Sequence, residues 1–287
     1  MRCRLSIVLS LQPASFAAMV YRGGLEEDLG RIKALGYDGV ELAIRDPGLL
    51  DRGRVLSALE AAGLPVPAIG TGQAFGEEGL SFTDPDRNVR ARAVARMHAH
   101  VPLAEKLGAL LIVGLIRGKS AGAQDKSRTE ELILEAMRDI ASGHPAQKFA
   151  IEPINRYETE FINTVDAGLR FLDRLKLDNV GLLLDTFHMN IEEDNIFEAI
   201  IKAGNYLGHF HCVENNRKIP GEGHIPWLEV QKALKLIQYQ GYLVTESFVN
   251  PAGEVGHGLS IWRPLADDLD QAAHRAAEFL KHEVANV

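Results

Sequence analysis

The chain has 287 residues, 46% of them hydrophobic, which is enough to form the core of one large α/β barrel without stabilising disulfides or structural metal ions. Its formal net charge of −8 argues against nucleic acid or an anionic membrane as the main partner. Two cysteines, Cys3 and Cys212, are too few for a disulfide framework, and no apolar run approaches about 18 residues. We therefore expect a cytoplasmic protein with no membrane partner.

Eight apolar, strand-like segments alternate with eight segments of helical periodicity. The strand-like segments lie at about 4–10, 37–44, 65–69, 109–115, 148–152, 180–185, 206–213 and 241–246. The helical segments lie at about 25–35, 51–62, 86–107, 127–142, 164–176, 194–203, from 226 onward and at 265–283. This alternation predicts a parallel sheet with right-handed crossovers, and eight repeats predict a single (β/α)8 TIM barrel domain over residues 1–287. A doubly wound open sheet is disfavoured, because Gly70-Thr-Gly72 lacks the third glycine of a dinucleotide-binding turn.

Four of the strand-like segments end on a side chain that can hold a metal ion. The fifth and eighth end on Glu152 and Glu246, the sixth on Asp185 and the seventh on His211. Such groups are costly to bury unless something pairs with them, and the strand ends of a barrel converge at one mouth. We predict one divalent metal ion per chain on these four residues. Three carboxylates and an imidazole favour Mn²⁺, with Mg²⁺ or Co²⁺ as alternatives and Zn²⁺ less natural. Four unrelated, solvated strand ends are the structural alternative.

Glu152 and Glu246 are also suited to proton transfer. They come from the fifth and eighth strands, so a substrate laid over the metal would have one carboxylate on each face. A metal that chelates a carbonyl and the neighbouring hydroxyl acidifies the carbon and stabilises the enediolate that forms. We predict that this pair removes a proton from one face and returns one to the other. The alternative is that both are plain metal ligands without a proton role.

Three further polar residues follow the predicted ligands on loops. Glu158 follows the fifth strand, His188 the sixth and Arg217 the seventh, where contacts to substrate hydroxyls are made. Singly, each could be an ordinary surface side chain, but their repetition at short offsets favours substrate binding. His209 shares the strand face of His211 but lies deeper, so we expect a hydrogen-bonded core or supporting histidine rather than a fifth ligand.

These residues carry a family resemblance. The segments are Glu152-Pro-Ile-Asn-Arg-Tyr-Glu158, Asp185-Thr-Phe-His-Met-Asn-Ile-Glu-Glu193, His209-Phe-His211 and Pro220-Gly-Glu-Gly-His224. They closely resemble ketose 3-epimerases of the tagatose/allulose type, which are xylose-isomerase-like barrels, and the similarity covers most of the second half. The resemblance implies a Mn²⁺-type ion on the same four ligands, the same acid–base pair and the same three substrate contacts. Barrels of this family often form homodimers or homotetramers.

The first half departs from that pattern and resembles a sister branch, the 5-keto-L-gluconate epimerases. The similar segments are Ala43-Ile-Arg45-Asp-Pro47, Ala68-Ile-Gly-Thr-Gly-Gln73 and Gly114-Leu-Ile-Arg117-Gly. Arg45 and Arg117 fall at the ends of strands two and four, and guanidinium groups grip carboxylates and phosphates bidentately. We therefore expect Arg45, Arg117 and Gln73 to bind substrate, and a keto-sugar acid or a sugar phosphate to be a candidate. The alternative is that both arginines pair with local acids such as Asp46.

The sequence thus predicts a metal-dependent sugar epimerase that acts on a ketose or keto-sugar acid. An aldose–ketose isomerase of the hydroxypyruvate or xylose type is the nearest alternative, because it uses the same enediolate but returns the proton to the neighbouring carbon. An endonuclease-IV-like phosphodiesterase would need several zinc ions and a basic groove, which the charge of −8 disfavours. A non-catalytic sugar-binding barrel is disfavoured by the paired glutamates.

Overall fold

The barrel predicted from the sequence is confirmed. A computed structural model of the protein describes residues 3–14, 24–119, 126–247 and 261–286. Its strands, in chain order, are β1 (Arg4–Ser10), β2 (Gly39–Ala43), β3 (Ala68–Gly70), β4 (Leu110–Val113), β5 (Phe149–Ile151), β6 (Val180–Asp185), β7 (Leu207–Cys212) and β8 (Tyr242–Thr245). All pair in parallel with their neighbours in the chain, and β8 pairs with β1 to close the barrel. The carboxyl ends of the strands therefore meet at one mouth.

Helices surround this barrel. In the described ranges they are α1 (Leu25–Ala34), α2 (Arg52–Ala62), α3 (Gln73–Glu78), α4 (Arg87–Leu107), α5 (Lys126–Gly143), α6 (Val165–Leu175), α7 (Thr186–Glu192), α8 (Ile196–Ala203), α9 (Trp227–Leu236) and α10 (Leu269–Phe279). Helices α3 and α7 were not predicted, because each is too short for a periodic pattern. The α7 helix begins where the Asp185 side chain accepts hydrogen bonds from the backbone N–H groups of Phe187 and His188. None of the described helices is both long and apolar enough to cross a membrane.

The alternation of side chains along β6 carries a carboxylate to the inner face of the barrel mouth. Leu182 and Leu184 belong to the large core cluster that includes the helices. Leu183, between them, packs with Ala150 inside the barrel. Because side chains two apart share a face, Asp185 continues the inward row that Leu183 begins. The apolar strand thus delivers a fully buried carboxylate to the mouth.

The same alternation places histidines of β7 on the inner face. Phe210 packs in the outer core, so His209 and His211 on either side of it point inward. The register pairs His211 of β7 directly with Asp185 of β6. On β2, Glu41 also lies on the inner face, since the residues beside it pack in the outer core. Polar groups from three strands therefore converge inside one end of the barrel.

Candidate metal centre and active site

The four predicted metal ligands lie together at the carboxyl end of the barrel. One potential ligand atom from each of Glu152, Asp185, His211 and Glu246 lies within 4.8 Å of the others. Glu152 and Glu246 directly follow the last residues of β5 and β8. Asp185 is fully buried, whereas the Glu246 side chain is 20% exposed. The cluster therefore has a closed inner side and a more open side at Glu246.

The cluster is short of positive charge. Burial raises the pKa of Glu152 to about 8, and the neighbouring carboxylate of Glu246 adds to the rise. Burial also raises the pKa of Asp185 to about 7, although the charge of Arg217 opposes this. The Oδ2 atom of Asp185 is buried and has no hydrogen-bond partner among the described residues. A divalent cation fits this site, because three carboxylates and one imidazole are the hard donors that Mn²⁺, Mg²⁺ or Co²⁺ takes.

His211 faces carboxylates with both ring nitrogens. Its Nδ1 lies 2.9 Å from Oε2 of Glu246 and 3.8 Å from Oδ2 of Asp185, within the cluster. Its Nε2 lies 3.1 Å from Oε2 of Glu41, on the opposite side of the ring. Burial lowers the pKa of His211, but the attraction of Glu41 and Glu246 outweighs it and leaves the pKa well above its usual value. Nδ1 is therefore the ring atom positioned to contact a metal ion.

Glu41 is a site residue that sequence reasoning missed. It lines the cavity above the cluster, and its Oε2 also lies 2.6 Å from Nε2 of His209. Burial raises the pKa of Glu41, but His211 and His209 outweigh this and lower it to about 2. Its signal in the sequence was a single charged residue inside an otherwise apolar strand, to which we assigned no role. His209 holds this carboxylate, which agrees with its expected place in the supporting layer.

The predicted substrate-binding residues border the same cavity. Glu158, His188 and Arg217 all line it. Arg217 donates a hydrogen bond to Oε1 of Glu158 at 2.9 Å, and its guanidinium lies 3.7 Å from the ring centre of Phe187. These contacts join the loops after β5 and β7 to the start of α7. The structure thus brings together polar groups that the sequence places on three separate loops.

The loop that carries Arg217 is organised around Glu214. Arg217 has a φ of +64°, in the left-handed region, so this backbone must be held from elsewhere. The fully buried Glu214 carboxylate accepts hydrogen bonds from the backbone N–H of Gly221 at 2.8 Å and of Ile225 at 3.2 Å. The indole N–H of Trp227 donates to the same carboxylate at 2.6 Å. Glu214 therefore fixes the loop that aims Arg217 into the cavity.

His188 is held as a neutral hydrogen-bond donor. The backbone N–H of Asn155 donates to its Nδ1 at 3.3 Å, and the side-chain amide of Asn155 lies 2.8 Å from the same atom. Burial, helped by Arg217 and Arg117, lowers the pKa of His188 well below its usual value. Because Nδ1 accepts, the hydrogen of the neutral ring lies on Nε2. That atom is 3.7 Å from Oε1 of Glu152 and faces the cavity.

Arg117 does not lie at the cavity, which corrects the expectation that it binds an acidic substrate. It is fully buried at the end of a short helical turn, Leu115–Arg117. Its guanidinium donates to the backbone carbonyls of Glu152 at 2.6 Å and of Phe161 at 2.9 Å. Burial lowers its pKa to about 10, although the charge of Glu152 opposes the shift. Arg117 thus joins the end of β4 to β5 and its loop.

Arg45 also lies away from the cavity, as the alternative of a local ion pair predicted. Its Nε is 3.5 Å from the carboxylate of Glu78, while Asp46 pairs instead with Arg96 at 3.1 Å. The direction of a side chain beyond a strand end depends on the following loop, which sequence spacing does not define. Gln73 does line the cavity, and its side-chain amide donates to the hydroxyl of Ser10 at 2.8 Å.

The chain is similar to known proteins along most of its length. A family model described as xylose isomerase-like TIM barrel matches residues 29–279. The D-psicose 3-epimerase of Ruminiclostridium cellulolyticum is 40% identical over 217 residues, 72% of this chain and 73% of that one. The L-ribulose 3-epimerase of a Methylomonas species is 32% identical over 280 residues, 92% of this chain and 95% of that one. A crystal structure of D-psicose 3-epimerase with D-tagatose from Clostridium cellulolyticum has a TM-score of 0.84 at 30% identity and 99% coverage of both chains.

Proposed function

The chain belongs to the family of xylose isomerase-like TIM barrels, and from this premise we propose that it is a metal-dependent epimerase of a neutral ketose. Its relatives make it a carbohydrate epimerase of the isomerase class. The reaction proposed is inversion at the hydroxyl-bearing carbon next to the ketone. The observation that carries the proposal is the pair Glu152 and Glu246, which meets Asp185 and His211 at one point of the barrel mouth.

Glu152 and Glu246 are the proposed acid–base pair. They extend from β5 and β8, so each reaches a reacting carbon from a different direction. One carboxylate removes the proton and the other returns a proton to the opposite face, which inverts the centre. Their surroundings are unequal, because Glu152 is buried and Glu246 is partly exposed, and unequal surroundings let two carboxylates hold different protonation states. A divalent cation bound by these residues would withdraw electrons from the ketone and the adjacent hydroxyl, which would acidify the C–H of the hydroxyl-bearing carbon next to the ketone.

Glu158, His188 and Arg217 are the proposed substrate contacts. His188 offers an Nε2 hydrogen, Arg217 offers guanidinium donors, and the Glu158 carboxylate accepts. Together they suit vicinal hydroxyl groups, each of which both donates and accepts. Because Arg217 and His188 are buried and held by neighbours, they present these groups in a preset orientation.

A neutral sugar fits the described cavity better than an acid or a phosphate. Among the described residues that line it, Arg217 is the one permanent cation, and Glu158 matches its charge. The two arginines that prompted the expectation of an acidic substrate, Arg45 and Arg117, make contacts elsewhere. The rest of the lining around Gln73 is formed by small or apolar residues such as Ala43 and Gly70.

Several parts of this proposal stay predictions. They are Mn²⁺ as the preferred ion, a homodimer or homotetramer as the assembly, a cytoplasmic location, and a single barrel domain over all 287 residues.

The test is a substrate panel read by NMR in D₂O. Protein loaded with Mn²⁺ and then freed of excess ion is offered neutral ketoses, keto-sugar acids and sugar phosphates. We expect a neutral ketose to be epimerised, with deuterium incorporated at the inverted carbon. We expect Glu152→Gln and Glu246→Gln each to lower the turnover number by about 10²- to 10⁴-fold, because each removes one partner of the proton transfer.

Three outcomes decide the proposal. Deuterium at the neighbouring carbon with formation of an aldose would replace it by aldose–ketose isomerisation. Preferential turnover of keto-acids or phosphates would overturn the neutral substrate. Unchanged activity after thorough chelation would overturn the metal dependence.

A further inference from the structure

Glu41 is a buried carboxylate to which the proposed function gives no role. We propose that Glu41 is a positioning residue of the metal centre, which determines that Nδ1 of His211 is the ring atom free to bind the cation. This inference rests on the metal site of the proposed function. Glu41 itself touches neither the reacting carbon nor, in this assignment, the ion.

The geometry assigns the hydrogens of two imidazoles. Oε2 of Glu41 lies 2.6 Å from Nε2 of His209 and 3.1 Å from Nε2 of His211. An ionised carboxylate can only accept hydrogen bonds, so each Nε2 must donate. An imidazole that binds a cation through one nitrogen is neutral and keeps a single N–H on the other nitrogen, because the cation displaces a proton. If Nε2 of His211 carries it, Nδ1 presents a lone pair to the cluster formed with Asp185 and Glu246.

His211 needs such a partner because the cluster competes for its hydrogen. Nδ1 of His211 is 2.9 Å from Oε2 of Glu246 and 3.8 Å from Oδ2 of Asp185. With nothing to accept on the far side of the ring, a neutral His211 would place its hydrogen on Nδ1 and donate it to these carboxylates. That hydrogen would block the only nitrogen ligand of the site. A carboxylate at Glu41 holds the hydrogen on Nε2 instead.

His209 restrains Glu41 from the inner side. The two histidine rings meet edge to face with centroids 5.3 Å apart, and both donate to the same carboxylate oxygen. All three side chains are at most 3% exposed, so no solvent competes for these hydrogen bonds. The same three groups could be read as a second metal site. Hydrogen bonds explain both separations without an ion, because 3.1 Å is an ordinary N–H···O length and 2.6 Å is a short one to a charged carboxylate.

The test measures Mn²⁺ binding to metal-stripped protein by titration calorimetry, with Mn²⁺ alone as the ligand. Glu41→Leu removes the acceptor, and Glu41→Gln retains an acceptor oxygen without the charge. We expect the affinity for Mn²⁺ to fall by about 100-fold in Glu41→Leu and by about 3- to 10-fold in Glu41→Gln. The partial rescue by glutamine distinguishes an acceptor of the His211 hydrogen from a mere filler of space.

A second readout follows the hydrogen directly. Ring ¹⁵N shifts of the metal-free proteins, at a pH high enough for His211 to be neutral, should place the His211 hydrogen on Nε2 in the wild type and in Glu41→Gln. In metal-free Glu41→Leu the hydrogen should move to Nδ1. If the leucine variant does not fold, Glu41→Gln and His209→Gln still test the assignment, since both retain a hydrogen-bonding side chain.

Phe171→Leu is the matched control. Phe171 is fully buried in α6, and this variant lowers stability without touching the site, so its Mn²⁺ affinity should equal that of the wild type. Variants of Glu41 that bind Mn²⁺ within about twofold of wild type would overturn the inference. Two Mn²⁺ per wild-type chain, with one lost in Glu41→Leu, would replace it by a second metal site. Failure of the wild type to bind any divalent cation would instead overturn the proposed function.

Discussion

The guanidinium of Arg217 lies 2.9 Å from Oε1 of Glu158, and this ion pair joins the loop after β7 to the loop after β5. The side chains of the two residues are only 6% and 18% exposed, so the pair is largely shielded from water. A shielded pair with one partner removed leaves an uncompensated charge, which costs more than the loss of a surface contact. The two loops therefore depend on each other for the shape of the substrate cavity.

Removal of either partner should impair catalysis, and removal of both should do little further harm. We expect Glu158→Gln and Arg217→Met each to lower kcat/KM by about 10²-fold, because each leaves its partner charged, buried and misplaced. The double variant should lose less than the product of the two, with a coupling of about 1–3 kcal/mol. Steady-state kinetics of the four proteins measures this.

The exposed pair of Lys202 and Asp166, 3.0 Å apart and more than half exposed, is the control. Its two single variants and their double variant should stay within about twofold of the wild type, because exposed pairs contribute little. If the losses of kcat/KM in Glu158→Gln and Arg217→Met were additive in the double variant, the two side chains would not be coupled, which would contradict this prediction.

Stability should depend on pH in a way that the cation reverses. An acid whose pKa is raised by folding binds more protons when folded, so stability falls as pH rises between the unfolded and folded pKa values. For Glu152 this window runs from 4.5 to about 8, and for Asp185 from 3.8 to about 7. The raised pKa of His211 acts in the same direction. The lowered pKa values of His100, His188 and His209 act in the opposite direction, but only below 6.5, and the lowered pKa of Glu41 matters only below 4.5.

We therefore expect the metal-free protein to melt at lower temperature at about pH 8 than at about pH 6.5, where the histidines with lowered pKa no longer contribute. Mn²⁺ should raise the melting temperature more at the higher pH, because it displaces protons from these groups. Thermal melts with Mn²⁺ or with a chelator, at both pH values, provide the measurement. An equal Mn²⁺ effect at both pH values would show that these carboxylates do not bind it.

Gly114 leaves room for the catalytic carboxylate. A Cβ at this position would lie 2.7 Å from Oε2 of Glu152, closer than carbon and oxygen approach without displacement. Gly114→Ala should therefore push Glu152 out of place and lower the turnover number by about 10-fold or more, with a smaller effect on melting temperature. The control is Gly30→Ala in α1, where a Cβ meets nothing within 4 Å. That variant should keep full activity and gain about 0.5–1 kcal/mol of stability.

Substitutions of Arg117 and Arg45 should differ in their effect on the free energy of unfolding, and neither should change the substrate preference. Arg117→Met leaves the carbonyls of Glu152 and Phe161 buried without their donor, so we expect the free energy of unfolding to fall by about 3–5 kcal/mol. Arg45→Ala removes a partly exposed contact with Glu78 and should cost about 1 kcal/mol or less. Urea unfolding measures both. A gain in the relative turnover of neutral over acidic sugars in Arg45→Ala would restore it as a substrate-binding residue.

Much of the candidate site was predictable because the ends of the strands can be recognised in the sequence. An apolar run that stops on a charged residue marks both a strand and its direction, and Asp185 and His211 were found in this way. Helix α7 was missed because seven residues show no clear period, and its start depends on the cap that Asp185 provides. The Asp185 carboxylate, which the sequence suggested as a metal ligand, therefore also caps a helix that periodicity does not reveal.

Glu41 and Arg117 illustrate what spacing alone does not decide. Glu41 is far from His211 in the sequence, and nothing marks their contact until closure of the barrel brings β2 opposite β7. Arg117 ends a strand-like segment as the ligands do, yet its helical turn directs the guanidinium to backbone carbonyls. A side chain just beyond a strand can point into the barrel mouth or away from it. The free energy of burying it depends on hydrogen-bond and charge partners from other parts of the chain.

The amino-acid sequence by itself determined the eight-fold alternation, the direction of the strands and the four groups at their ends, because these depend on local periodicity and on a two-residue repeat. Only the tertiary structure decided which buried charges meet. Distances between His211, Glu41 and Glu246, and the pKa shifts that follow, arise from barrel closure and exclusion of water, and neither is a property of any single segment.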